Sequence, residues 1–219
     1  MSLWIAVCMI NKKNSRFDRA GMYCTRGRML HSEIVIKMSC SLLAKGSCPY
    51  CNCTDSKKII YEKKTNDNVK FIKSSSSSKQ IKHGMTHRIT YAIHGEEPYN
   101  TVFCKISKKY KHKYSFISVP LKPEHIENVR LFLHDQLGKP FNKWGFRLNF
   151  LPFNYFNIGS NKCGGDSSTW FCSELCTAAL QQANLLPNII PCKTSTNDLY
   201  YILLHEFNYT LQHSIRVSV

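Results

Sequence analysis

The chain has 219 residues, 43% of them hydrophobic, which is enough to bury a core in one domain and too apolar for a disordered chain. Lysine and arginine outnumber aspartate and glutamate by 30 to 14, giving a formal charge of +16 that calls for an anionic partner, a membrane surface or a solvated basic face. The eleven cysteines are odd in number and unevenly spaced, which excludes a small secreted disulfide scaffold and predicts mostly free thiols in an intracellular, reducing compartment.

The opening MSLWIAVCMI is too short to span a bilayer and lacks a basic leader and a small-residue cleavage site, so it reads as a buried strand. HSEIVIKM, from His31, and RITYAIHG, which carries His94, are short and rich in β-branched or aromatic residues, and both predict strands. Each has one histidine at one end. Antiparallel pairing would bring His31 and His94 to the same edge of a sheet.

Between these strands, residues 39–87 change character and read as a basic, Cys- and Ser-rich insertion into a single domain spanning residues 1–219. Ser74 to Ser78 predict a mobile loop, because a serine run flanked by lysines buries too little apolar surface to offset ordering. Cys40, Cys48, Cys51 and Cys53 supply four thiolates, the number a zinc site needs. Their spacing differs from that of paired zinc knuckles, so they read as a cysteine-rich loop and no metal or cofactor is assigned. The run from Lys57 to Arg88 has nine Lys or Arg against Glu62 and Asp67, and KISKKYKHKY adds five lysines. Such a surface suits an anionic membrane or a nucleic-acid backbone and carries no motif for reading bases.

YSFISVPL, Tyr114 to Leu121, predicts a third strand that runs into a helix. Pro123 and Glu124 mark the helix start, Ile126, Val129, Leu133 and Leu137 recur at helical spacing, and Gly138 with Pro140 ends it. The following GKPFNKWGFRLNFLPFNYFNIGSNKCGGDSST lacks sustained periodicity and predicts a long packed loop. In STWFCSELCTAALQQANLL, the residues Leu175, Ala179, Ala183 and Leu186 share a helical face, and Cys172 falls at the amino-terminal end. A thiolate is favoured there by the helix dipole, and unpaired N–H groups could bind a developing oxyanion. Position alone favours a small core cysteine, the role expected of Cys176.

The order of the parts adds to this. A histidine-led strand, a histidine-ended strand, a strand into a helix, GKPF and FCSEL occur in one chain, which resembles the circularly permuted branch of the NlpC-like papain-fold thiol hydrolases. That branch includes YiiX-like bacterial proteins, a poxviral group and relatives of lecithin:retinol acyltransferase. His31 in HSEIVI matches the family histidine, and YAIHG matches the strand whose terminal polar residue orients it. LGKPFNKWGF resembles the Gly-Lys-Pro-Tyr-Asp stretch, and FCSEL the Tyr-Cys-Ser-Glu nucleophile motif. TSTNDLYYILL is similar to a segment that follows the helix in viral members. The chain departs from the pattern at Glu33, where a small residue is common and a carboxylate would perturb the ion pair. It departs also at Asn142, in place of Asp, and in the insertion.

The resemblance implies an α+β fold of permuted papain type, with a small antiparallel sheet packed against the nucleophile helix and a second helix. It also implies a cysteine hydrolase that cleaves an amide or ester through a thioester acyl-enzyme. Cys172 would be the nucleophile, His31 the base and later acid, and His94 the residue that holds the imidazole, with Glu62 as the competing third member. Glu174, in the first helical turn, reads as structural. Two other classes remain: an acyltransferase or lipase on membrane lipids, and a non-catalytic binding protein. An apolar groove beside Cys172 would favour a lipid acyl substrate, and a narrow polar cleft a peptide or protein.

Overall fold

A computed structural model describes residues 1–9, 29–39, 60–63, 69–72, 86–95, 100–106, 114–149, 168–206 and 211–213. It has a mixed α+β arrangement built on an open antiparallel sheet. The strands are β1 (Ser2–Met9), β2 (Met29–Ser39), β5 (Thr86–Ala92), β6 (Phe103–Ile106), β7 (Tyr114–Val119) and β8 (Leu211–His213), ordered β6-β5-β2-β1-β7-β8. A separate ribbon, β3 (Ile60–Lys63) with β4 (Val69–Ile72), lies within the segment between β2 and β5. The Cys40, Cys48, Cys51 and Cys53 cluster and Ser74 to Ser78 lie outside the described residues.

Alternation along the strands decides what each face covers. Leu3, Ile5 and Val7 of β1, Ile34, Ile36 and Met38 of β2, and Ile117 and Val119 of β7 are buried in the main core. The intervening Ala6, Val35 and Phe116, with Trp4 and Tyr114, form a smaller cluster on the opposite face. The opening segment is thus a strand whose inward residues are fully buried, as its apolar pattern predicts.

Helices α1 (Pro123–Asp135), α3 (Cys172–Gln181) and α4 (Thr196–Tyr201) add to the main core, as do Ile89 and Tyr91 of β5 and Cys104 of β6. Pro123 opens α1, Ile126, Val129 and Leu133 are its buried stripe, and Gly138 takes a φ of 81° just beyond its end, a conformation that disfavours any side chain. In α3 every residue from Cys172 to Leu180 is buried, so its polar groups need internal partners. The Ser173 hydroxyl donates to the Thr194 carbonyl at 2.7 Å and the Thr177 hydroxyl to the Ser173 carbonyl at 2.8 Å.

The stretch after α1 is not wholly a loop. It contains α2 (Lys143–Asn149), whose amino end is capped by Asn142, the Oδ1 of which accepts from Gly145 N–H at 2.7 Å. Two turns are too short for helical periodicity to stand out, and the cap was the readable signal. Asn caps as well as Asp does, so the exchange at this position keeps the local structure. No helix among the described residues is long and apolar enough to cross a membrane.

Candidate active site

The segment leading into α3 is held by the GKPF stretch. Trp170 N–H donates to the Pro140 carbonyl at 3.0 Å and Asn142 N–H to the Trp170 carbonyl at 2.7 Å, forming a parallel bridge between Phe141 and Trp170. The Trp170 indole is fully buried and donates to Gln136 Oε1 at 3.2 Å. On its other side the stretch meets residues 100–102: Phe141 N–H donates to the Asn100 carbonyl at 2.6 Å and Val102 N–H to the Lys139 carbonyl at 2.8 Å. The Phe141 ring packs so tightly on Gly95 that an added Cβ would come within 2.9 Å of it. One short stretch therefore fixes the approach to Cys172 and the residue after His94.

Phe171 is the N-cap residue of α3, and its backbone N–H donates to Glu174 Oε2 at 3.3 Å. Glu174 thus closes the first turn on the backbone, the structural role its position suggests. Burial pushes its carboxyl up to about 7.

Cys172 is the first residue of α3 and is 3% exposed. The ladder between β2 and β5 runs from Ser39↔Thr86 to Ile34↔Tyr91, and beyond it Cys172 accepts a hydrogen bond from the Ser32 backbone N–H. At this open end of the ladder the thiol also interacts with the His31 ring. Its Sγ lies 3.7 Å from the hydroxyl of Thr196, the first residue of α4. Ser195 holds that helix start in place: its Oγ accepts from Asp198 N–H at 3.1 Å, and Asp198 Oδ2 accepts from the Ser195 backbone N–H at 3.0 Å.

His31 and Glu33 are two apart on β2 and so share a face. His31 Nε2 is 3.3 Å from Glu33 Oε1, which leaves Nδ1 for Cys172. His94 Nε2 is 3.4 Å from the same oxygen, and the two imidazoles lie against each other with centroids 4.3 Å apart and planes tilted by 32°. His94 also stacks on Phe103, 5.5 Å away. Tyr114 OH donates to Glu33 Oε1 at 3.2 Å, and Lys105 Nζ is 3.8 Å from it. Glu33 is 1% exposed.

Cys172, His31 and His94 are thus brought together, and strands β2 and β5 are the antiparallel neighbours that their sequences predict. The group on the His31 nitrogen, however, is Glu33, and His94 meets that carboxylate rather than the far nitrogen of the ring. Strand periodicity was the available signal, since His-x-Glu in a β segment aims both side chains the same way. Thr196 and Lys105 carried no signal of this kind. Glu62 lies on the β3–β4 ribbon, opposite Lys70.

The electrostatics divide the two histidines. Burial opposes charge on His31, but its bonds to Cys172 and Glu33 and their negative charges hold its pKa up at about 9. Burial opposes a Cys172 thiolate, but His31, by hydrogen bond and charge, with Ser32 N–H and the Thr196 hydroxyl, brings its pKa down to about 7. Glu33 is buried, yet bonds from both histidines and the charges of His31 and Lys105 keep its carboxyl well below the usual range. His94 is shifted down by its own burial and by the charge of His31, as two adjacent imidazoles should not both ionise. The other core thiols behave oppositely, with burial pushing Cys104 and Cys176 far up. Cys104, Cys172 and Cys176 are free thiols, whereas Cys192 is disulfide-bonded.

Among the described residues, His31, Glu33 and His94 form the one group of donors whose arrangement would suit a metal ion. No family model, curated protein or solved structure matches the chain.

Proposed function

We propose that the chain is a thiol acyl-transfer enzyme, a hydrolase of an amide or ester, on a permuted papain-like fold. The observation that carries this reading is a low-pKa cysteine at a helix start, joined to a histidine whose other nitrogen is held by a buried carboxylate. The Cys172 thiolate attacks a carbonyl carbon, and the oxyanion that forms is stabilised by the open N–H groups of the first turn of α3. The C–N or C–O bond to the leaving group breaks as imidazolium His31 gives that group its proton. The thioester is then cleaved by water that His31 deprotonates. Glu33 fixes the ring and balances its charge, and His94 and Tyr114 hold Glu33.

Support for the fold comes from the order of parts, with the histidine strand ahead of the cysteine helix and the GKPF stretch between them. A lipid acyl substrate is favoured by one feature: Trp144 on α2 is 71% exposed beside exposed Lys143, a pairing suited to a membrane interface. The basic segment proposed to meet anionic membranes or nucleic acid lies mostly outside the described residues.

Incubation with an electrophilic acyl probe and measurement of intact mass should give one adduct on wild type and none at that site on Cys172→Ala. Peptide, ubiquitin-like and phospholipid substrates then separate the acyl classes. Equal labelling of the two proteins would dismiss Cys172 as the nucleophile.

A further inference from the structure

We propose that His31, Glu33 and His94 also form a binding site for a zinc-type divalent cation, occupancy of which shuts off the thiol chemistry. The second half of this rests on the acyl-transfer reading, whereas the site itself does not.

The geometry is unlike that of plain hydrogen bonding. Charge-assisted N–H to carboxylate bonds measure roughly 2.7–2.9 Å, but both imidazole Nε2 atoms stand 3.3 and 3.4 Å from Glu33 Oε1. Four donors crowd this one oxygen, with Tyr114 OH at 3.2 Å and Lys105 Nζ at 3.8 Å. Its twin Oε2, equally buried, has no hydrogen-bond partner among the described residues. Ligand atoms held about 2.0–2.1 Å from a tetrahedral zinc lie roughly 3.3–3.4 Å apart, which are the two edges found here. All three ligand atoms fall within 4.8 Å of one another. Two imidazoles and one carboxylate suit zinc, and are a poor set for magnesium or calcium, which take oxygen ligands.

Entry is from the side of His94, whose side chain is 32% exposed, against 15% for His31 and 1% for Glu33. Lys105 opposes a cation, but its side chain is 28% exposed and long enough to turn to solvent. Zinc on His31 Nε2 displaces the proton there and leaves Nδ1–H to face the Cys172 thiolate as an outer-shell partner. On zinc the ring can release that remaining Nδ1 proton only by becoming an imidazolate, so it is a poor proton donor to the leaving group.

The test uses the full chain, reduced and freed of metal, at pH 8, with Zn²⁺ titrated against a chromophoric chelator in wild type, His94→Ala and Lys105→Ala. Thiolates elsewhere in the chain also attract zinc, so the reading is a difference between proteins. Wild type should show one tight equivalent that weakens at least about 100-fold in His94→Ala, since even outer-shell losses cost 10–100-fold, and that tightens several-fold in Lys105→Ala. Co²⁺ in that equivalent should lack a thiolate charge-transfer band. Identical binding by wild type and a folded His94→Ala would overturn the site. Should His94→Ala unfold, unchanged affinity in Lys105→Ala overturns it instead. Zinc should also slow acyl-probe labelling of Cys172, at lower concentration in Lys105→Ala. Binding without slowed labelling removes the switch and keeps the site, whereas no labelling in metal-free protein removes the acyl-transfer reading alone.

Discussion

Cys172→Ser should lower turnover of a small activated ester by about 10⁴–10⁶-fold, the range seen when a nucleophile is removed from a working triad, while thermal unfolding stays within a few degrees of wild type. Serine is nearly the same size, and at this site it can still meet the Thr196 hydroxyl 3.7 Å from Sγ, so the core has little reason to open. The kinetic loss follows from acidity. An environment that brings a thiol to about 7 cannot bring a hydroxyl within reach of neutral pH, so no ready-made nucleophile is present. Turnover within tenfold of wild type would remove Cys172 from the chemistry. A large drop in unfolding temperature would instead mark it as a packing residue.

Glu33 should produce the next largest effect, and in two separable ways. Glu33→Ala strips the counter-charge from a buried imidazolium, a loss of about 3–5 kcal/mol for a broken buried pair. Glu33→Gln keeps the shape and one acceptor but removes the charge that keeps His31 protonated and oriented, so turnover should fall by about 10²–10⁴-fold. His94→Ala should cost less than Glu33→Gln, because His94 touches Glu33 and lies against the His31 ring without holding its nitrogen. Chemical unfolding and steady-state rates for the three variants check this. A His94→Ala loss larger than that of Glu33→Gln would return the orienting role to His94.

Much of the frame was legible because burial writes itself into period and punctuation. The apolar opening strand, the stripe of α1 between Pro123 and Gly138, and the buried helix after Trp170 all have sharp signals. The pairing of β2 with β5 followed from two short apolar runs, one led by His31 and one closing on His94. What was missed lacked such signals. β6 is four residues long and α2 seven, too short for a period to emerge. Thr196 reaches Cys172 only because Ser195 and Asp198 start a helix there, a contact across 24 residues that no local pattern encodes. Glu33 was visible but weighed against a family preference for small residues rather than against strand alternation, which puts it beside His31.

The most direct test of the thiolate–imidazolium pair is the pH dependence of Cys172 alkylation by iodoacetamide, followed by peptide mass in the presence of EDTA. Buried Cys104 and Cys176 serve as unreactive references in the same sample. The reacting species is the thiolate, so the rate should rise through a midpoint near 7 in wild type. Replacing His31 by Ala removes the bond and charge that oppose burial, and the midpoint should then move above the ordinary thiol value of about 8.5. A wild-type midpoint already at that ordinary value, or one that His31→Ala leaves in place, would contradict the account.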